Sequence, residues 1–194
     1  MKKWLLIIII AVIAGFTLMS SYNGLVKAEE EIDSIWANVE SQYQRRTDLI
    51  PNLVNTVQGQ ANFEKETLTN VIEARAKATQ TKIDPANMTE EQLAQFQQNQ
   101  DSVGSALSRL LVSVEKYPDL KAHEGFMNLQ AQLEGTENRI NIARNKFNEA
   151  ARIYNQKVRQ LPTKIAAIIF GFKEKPYFKS AAGSENAPVV NFGK

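Results

Sequence analysis

The chain has 194 residues, with 23 Lys and Arg against 21 Asp and Glu, one histidine and no cysteine. Near-neutral charge argues against nucleic-acid binding. The lack of thiols excludes thiolate zinc sites, iron–sulfur clusters and disulfides, and suits an exported domain.

Two lysines precede Trp4 to Met19, an apolar run whose only polar interruption is Thr17. Roughly 16 such residues give about 24 Å of helix, short of the roughly 30 Å hydrocarbon core. Ser20, Ser21 and Tyr22 extend the run into the interface, Lys2 and Lys3 can snorkel, and Trp4 and Tyr22 stand where aromatic belts lie. Lysines before the run, and Glu29, Glu30, Glu31 and Asp33 after it, predict a cytoplasmic N-terminus with the remainder exported. The rival reading is a cleaved signal peptide, but Val26-Lys27-Ala28 lies far beyond the apolar run and Leu18-x-Ser20 is a poor site.

Helical periodicity governs the chain beyond the apolar run, and no segment reads as a strand. The first helix runs through Leu25, Ala28, Ile32, Ile35 and Val39, with Trp36 and Tyr43 on its flank. Asp48 caps a second helix, with Pro51 in its first turn, that follows Val54, Val57, Ala61, Leu68 and Val71. A turn at 83–88 leads to Thr89, whose capping-box start opens a third helix through Leu93, Phe96, Gln100, Val103, Leu107, Leu110, Val114 and Tyr117. Its Gln95–Gln100 stretch is a polar helix face. Tyr117-Pro118-Asp119 precedes a fourth helix, whose heptad seam is Phe126, Leu129, Leu133, Thr136, Ile140, Ala143, Phe147, Ala150, Tyr154 and Leu161.

Short connections predict an all-α, up-and-down four-helix bundle behind one N-terminal transmembrane helix. The expected layout is a cytoplasmic stub (1–3), a transmembrane anchor (4–21), the bundle (22–162), a membrane-proximal apolar segment (163–179) and a flexible tail (180–194). That topology returns Ile165–Phe172 beside the anchor. There it either dips into the headgroup layer or packs on the bundle base. Trp4, Tyr22, Ile165, Ile168, Ile169, Phe170 and Phe172 are the candidate membrane-interface residues.

Tyr22-Asn23-Gly24-Leu25-Val26, the run from Arg45 through Pro51 to Val54, Glu73-Ala74-Arg75-Ala76, the Tyr117–Ala122 turn, Thr136-Glu137-Asn138-Arg139-Ile140 and the Phe170-Gly171-Phe172 to Tyr177-Phe178 end share order and spacing with a known group. Over the stretch from the apolar run to about residue 179, the chain resembles the LemA family of bacterial membrane proteins. The resemblance implies a membrane-anchored four-helix bundle in the bacterial cytoplasmic membrane and no reaction. Gln58-Gly59-Gln60 and Gly125 depart from many relatives and leave the surface chemistry open.

Arg45, Arg46 and Asp48 form a candidate partner-binding elbow at the membrane-distal tip, or else simply organise the hairpin there. Glu64 and Arg75 on the second helix, and Glu137 and Arg139 on the fourth, are expected to pair across helices and fix register. A carboxylate-bridged iron site needs Glu-x-x-His on two helices, whereas His123 is the sole histidine and reads as a helix-start residue. No cofactor or metal is expected. No nucleophile elbow or phosphate loop is present, so the chain reads as a non-enzyme. Tyr43, Tyr117, Tyr154 and Asn155 read as core residues with satisfied polar ends. The expected function is a scaffold or adaptor acting through protein partners. The alternatives are a self-assembling homo-oligomer and an envelope sensor.

Overall fold

The computed structural model describes residues 2–59 and 63–179. Among the described residues, six α-helices and one 3-10 turn succeed one another in order: α1 (Lys2–Gln58), α2 (Lys65–Gln80), the turn Pro85–Asn87, α3 (Glu90–Val114), α4 (Pro118–Lys121), α5 (Glu124–Arg159) and α6 (Thr163–Phe170). The expected tail and Ala61 lie outside the described residues. Among those described there is no strand, and the fold is an all-α bundle of four long helices.

The register shows the up-and-down arrangement. Along α1, Trp36 meets Phe147 and Arg46 meets Glu137 of α5, so the two helices run antiparallel. Thr81 after α2 meets Asn99, and Glu64 before α2 meets Lys116, so α2 and α3 are antiparallel too. The tip is closed by Phe63 against Tyr117, ring centroids 5.2 Å apart. The base lies where α6 packs on α1 at Tyr22.

The expected break between a first and a second helix at Asp48–Pro51 does not occur. Helix α1 continues through both to Gln58, and α2 begins only at Lys65. Proline inside a helix removes the N–H that would bond the carbonyl four residues back and ordinarily kinks or ends the helix. Here that carbonyl belongs to Thr47, and Arg75 of α2 donates its Nε–H to it at 2.8 Å. Ile50, Leu53, Val54 and Val57 keep the buried face going beyond the proline. Asp48 is therefore a mid-helix surface residue whose carboxylate accepts from Gln44 at 2.7 Å.

Other starts obey local rules. Thr89 and Gln92 make the reciprocal capping box of α3, and Asp84 accepts from the N–H of Ala86 in the 3-10 turn. His123 is the N-cap residue of α5. Gly171 ends α6 at φ 80°, a left-handed conformation that a side chain would strain.

Two apolar cores are stacked along the bundle. The basal core gathers Leu25, Ile32, Trp36, Tyr43, Phe96, Phe147 and Tyr154, and the core at the tip gathers Ile50, Leu53, Val57, Leu68, Leu110, Phe126 and Leu133. Trp36 and Tyr43, expected on a flank, are core residues instead. The inward stripe of α1 steps from Ile32 to Trp36 and leaves Ile35 half-buried. Leu161, expected on the α5 seam, is exposed beyond the helix end.

Candidate functional site: a buried arginine layer, a strap and an apolar base

Between the two cores lies a polar layer centred on Arg46, which is 3% exposed. Its Nη1–H donates to Glu137 at 2.8 Å, and its Nη2–H to both the carbonyl and the side-chain oxygen of Gln100 at 2.7 Å. The guanidinium carbon lies 5.2 Å from the Tyr43 ring centroid. A Cβ at Gly104 would stand 3.9 Å from Nη1. Burial raises the Tyr43 hydroxyl above its ordinary pKa, opposed by Arg144 and Arg46.

The expected elbow is thus taken apart. Arg46 lies inside the bundle, about two-thirds of the way along α1 from Tyr22 to Gln58, while Arg45 and Asp48 face solvent on the same helix. Three of the four residues expected to pair across helices do so, with partners the sequence did not reveal, while Arg139 is exposed on α5. Arg46 pairs with Glu137, Arg75 bonds Thr47, and Glu64 accepts from Lys116 at 3.0 Å, which holds its carboxyl below the usual range. Glu64 itself is an exposed residue just before α2 rather than part of an inward stripe.

A second arrangement had no periodic signal. After α6 the chain turns at Gly171, and residues 172–179 climb back along the bundle as a non-helical strap between α3 and α5. Three side-chain amides hold its backbone. Asn155 accepts from the Lys175 N–H at 2.9 Å and donates to the Lys175 carbonyl at 2.9 Å. Asn148 does the same for Phe178 at 2.8 and 3.0 Å. Gln97 repeats the pairing on Lys179 at 3.2 and 2.8 Å.

Two strap side chains point inward. Phe178 is buried against Trp36 and Phe147, with the Arg144 guanidinium 5.0 Å from its ring centroid. Lys175 is buried, its Nζ bonded to Glu29 at 2.9 Å and to the carbonyls of Pro85 and Ala86 at 2.9 and 3.1 Å. Nearby, Asp33 Oδ1 is buried without a hydrogen-bond partner. Burial raises the Asp33 pKa, only partly offset by Lys175. The Tyr154 hydroxyl is also buried without a hydrogen-bond partner and shifted upward by burial.

The base is apolar. Ala166 and Ala167 of α6 are buried toward α1, while Ile165, Ile168, Ile169 and Phe170 on its other side are 50% or more exposed. The Phe170 and Phe172 rings lie 4.7 and 5.8 Å from Tyr22, so three of the four candidate interface aromatics cluster there. Trp4, at the far end of the apolar run, is exposed, as are its large neighbours through Phe16 and Met19, while Leu18 is half-buried against the basal core. Helix α1 holds a stretch long and apolar enough to cross a membrane, none of it covered by the bundle. Among the described residues, no group of three or more His, Asp or Glu is placed to hold a metal.

The model of the LemA family matches residues 35–192. The magnetosome protein MamQ 2 of Paramagnetospirillum magneticum is 27% identical over 90% of this chain and 70% of its own length. The magnetosome protein MamQ of Magnetospirillum gryphiswaldense is 28% identical with the same coverage. Protein LemA of Metamycoplasma hominis is 24% identical over 74% of this chain and 62% of that protein. With a family match over most of its length and an N-terminal helix that fits membrane association, the chain belongs to the LemA family.

Proposed function

We propose that this protein is a non-catalytic scaffold of the bacterial cell envelope that acts through protein partners. In this reading residues 4–21 span the cytoplasmic membrane, the N-terminus is inside, and the bundle stands outside. The observation that carries it is the position of α6. Its exposed Ile165, Ile168, Ile169 and Phe170 lie beside Tyr22, where the bare apolar run of α1 ends. Helix α6 thus supplies a second, interfacial membrane contact that seats the bundle upright. Arg45 and Asp48, on the open face of α1, remain candidate partner contacts, and Arg46 acts by holding that helix in register.

The chain lacks cysteine, so single labels report cleanly. A polarity-sensitive probe on Ile169→Cys in vesicle-reconstituted full-length protein is expected to be quenched by lipid-borne quenchers. The same probe on Val112→Cys, near the tip, is expected to stay unquenched and open to an impermeant maleimide from outside whole cells. Quenching at neither site would remove the second contact, and a protected Val112→Cys would reverse the orientation. Crosslinking in whole membranes tests the scaffold reading, which fails if the bundle is recovered only as an isolated monomer.

A further inference from the structure

The base of the molecule carries a cleft as well as an apolar face. The cleft has a volume of about 340 Å³, within the range of small-molecule sites, and lies between α6, the root of the strap and the turn before α3. Phe170, Phe172 and Lys173 line it, together with Glu29, Glu174 and Lys175. Phe170 and Phe172 are the rings that lean on Tyr22, and Leu18, one turn earlier on α1, packs against the same basal core. The cleft therefore lies level with the end of the apolar run.

Charge at this cleft is unbalanced. Glu29 holds Lys175 at 2.9 Å and Glu174 holds Arg159, so both lining carboxylates are matched. The Lys173 ammonium is exposed and has no ion-pair partner among the described residues. Lys164 is in the same condition at the other end of α6, a helix about 12 Å long. It stands four residues before Ile168, at the edge of the exposed apolar face. Side chains of this length lay their methylenes along apolar surface and carry the ammonium out to the headgroups. Two unmatched cations flanking an apolar face suit a ligand with an apolar body and a negative head. A zwitterionic headgroup brings its own cation and gains little from either lysine, whereas an anionic phosphodiester gains from both.

We infer that this cleft, with Lys173 at one end of α6 and Lys164 at the other, is a binding site for an anionic phospholipid. The headgroup phosphate lies with the two ammonium groups, and the acyl chains lie with Ile165, Ile168 and Ile169. The inference rests on the membrane contact of α6 proposed above and adds which lipid that contact selects.

The test uses full-length protein with the probe on Ile169→Cys, in vesicles of equal phosphatidylglycerol and phosphatidylcholine. The acyl-chain quencher is carried by one lipid in the first preparation and by the other in the second. Quenching is expected to report a preference for phosphatidylglycerol of at least about threefold. Lys164→Gln with Lys173→Gln should abolish the preference, and Lys164→Arg with Lys173→Arg should keep it. Both lysines are exposed, so thermal melts of these variants should coincide with that of the parent. A probe on Ile10→Cys, within the apolar run, should show no preference. Equal quenching by the two lipids at Ile169→Cys overturns the inference and leaves the membrane contact of α6 standing. A preference that survives the glutamines, or that is as strong at Ile10→Cys, overturns it as well, since it belongs to the anchor. Quenching by neither lipid removes the contact itself, and the headgroup site with it.

Discussion

Arg75 and Thr47, 28 residues apart, meet through a 2.8 Å hydrogen bond from the Arg75 Nε–H to the Thr47 carbonyl, the one that Pro51 leaves without a donor. A helix-breaking residue and its repair thus sit on different helices. Arg75→Ala should leave that carbonyl unmet and cost about 1–3 kcal/mol of unfolding free energy. Pro51→Ala, which restores the local N–H, should remove most of that penalty when combined with it. A double-mutant cycle by urea denaturation measures the coupling, and additive effects would refute it.

The arginine layer predicts an asymmetry. Glu137→Ala leaves a buried guanidinium with one ionic partner fewer and should cost about 3 kcal/mol. Arg46→Met leaves a carboxylate that is 42% exposed and can turn to water, so its cost should be smaller, about 2 kcal/mol. Thermal melts of the two variants should therefore rank Glu137→Ala as the less stable.

Strap docking should be legible residue by residue in amide exchange. Asn155→Ala is expected to accelerate exchange at the Lys175 N–H and Asn148→Ala at the Phe178 N–H, while core amides of α1 and α5 stay protected. Phe178→Ala should undock the whole strap and change Trp36 emission, because the two rings stack 6.1 Å apart.

Asp33 sets an acid-side pH dependence. Its folded pKa is raised by burial, so the folded state binds this proton more tightly than the unfolded chain. Stability contributed here is greatest below the ordinary carboxylate range and falls as pH rises through the raised value. Asp33→Asn should flatten that fall and raise the melting temperature at neutral pH. Glu64 behaves oppositely. Held low by Lys116, it favours folding above the ordinary carboxylate range and loses that contribution as pH falls through its lowered value.

The exposed edge of α6 predicts function without stability. Ile168→Asp with Ile169→Asp should change unfolding free energy by no more than about 0.5 kcal/mol per site. The pair should nevertheless abolish lipid quenching of a probe placed at Ile165→Cys.

How far the sequence could be read depends on where each determinant sits. Thr89 and Gln92 lie three residues apart, so the start of α3 is written locally, and the seams of α3 and α5 emerge from spacing alone. The continuity of α1 is not local, because the donor that rescues Thr47 comes from α2. The buried state of Arg46 depends on Gln100 and Glu137, which are 54 and 91 residues away. The strap has no period at all. Asn148 and Asn155 are ordinary polar residues of a helix until the chain after Gly171 folds back on them.

The unbroken α1 has a mechanical consequence. At about 1.5 Å per residue its 57 residues form a rod of about 86 Å, some 54 Å of it beyond Tyr22. With its apolar end seated in a bilayer, no hinge separates the buried part from the free part. A tilt of about 20°, ordinary for a membrane helix, would swing Gln58 sideways by about 18 Å. Thinning or thickening the bilayer would therefore steer the far end of the molecule, as a mast moves when its footing shifts.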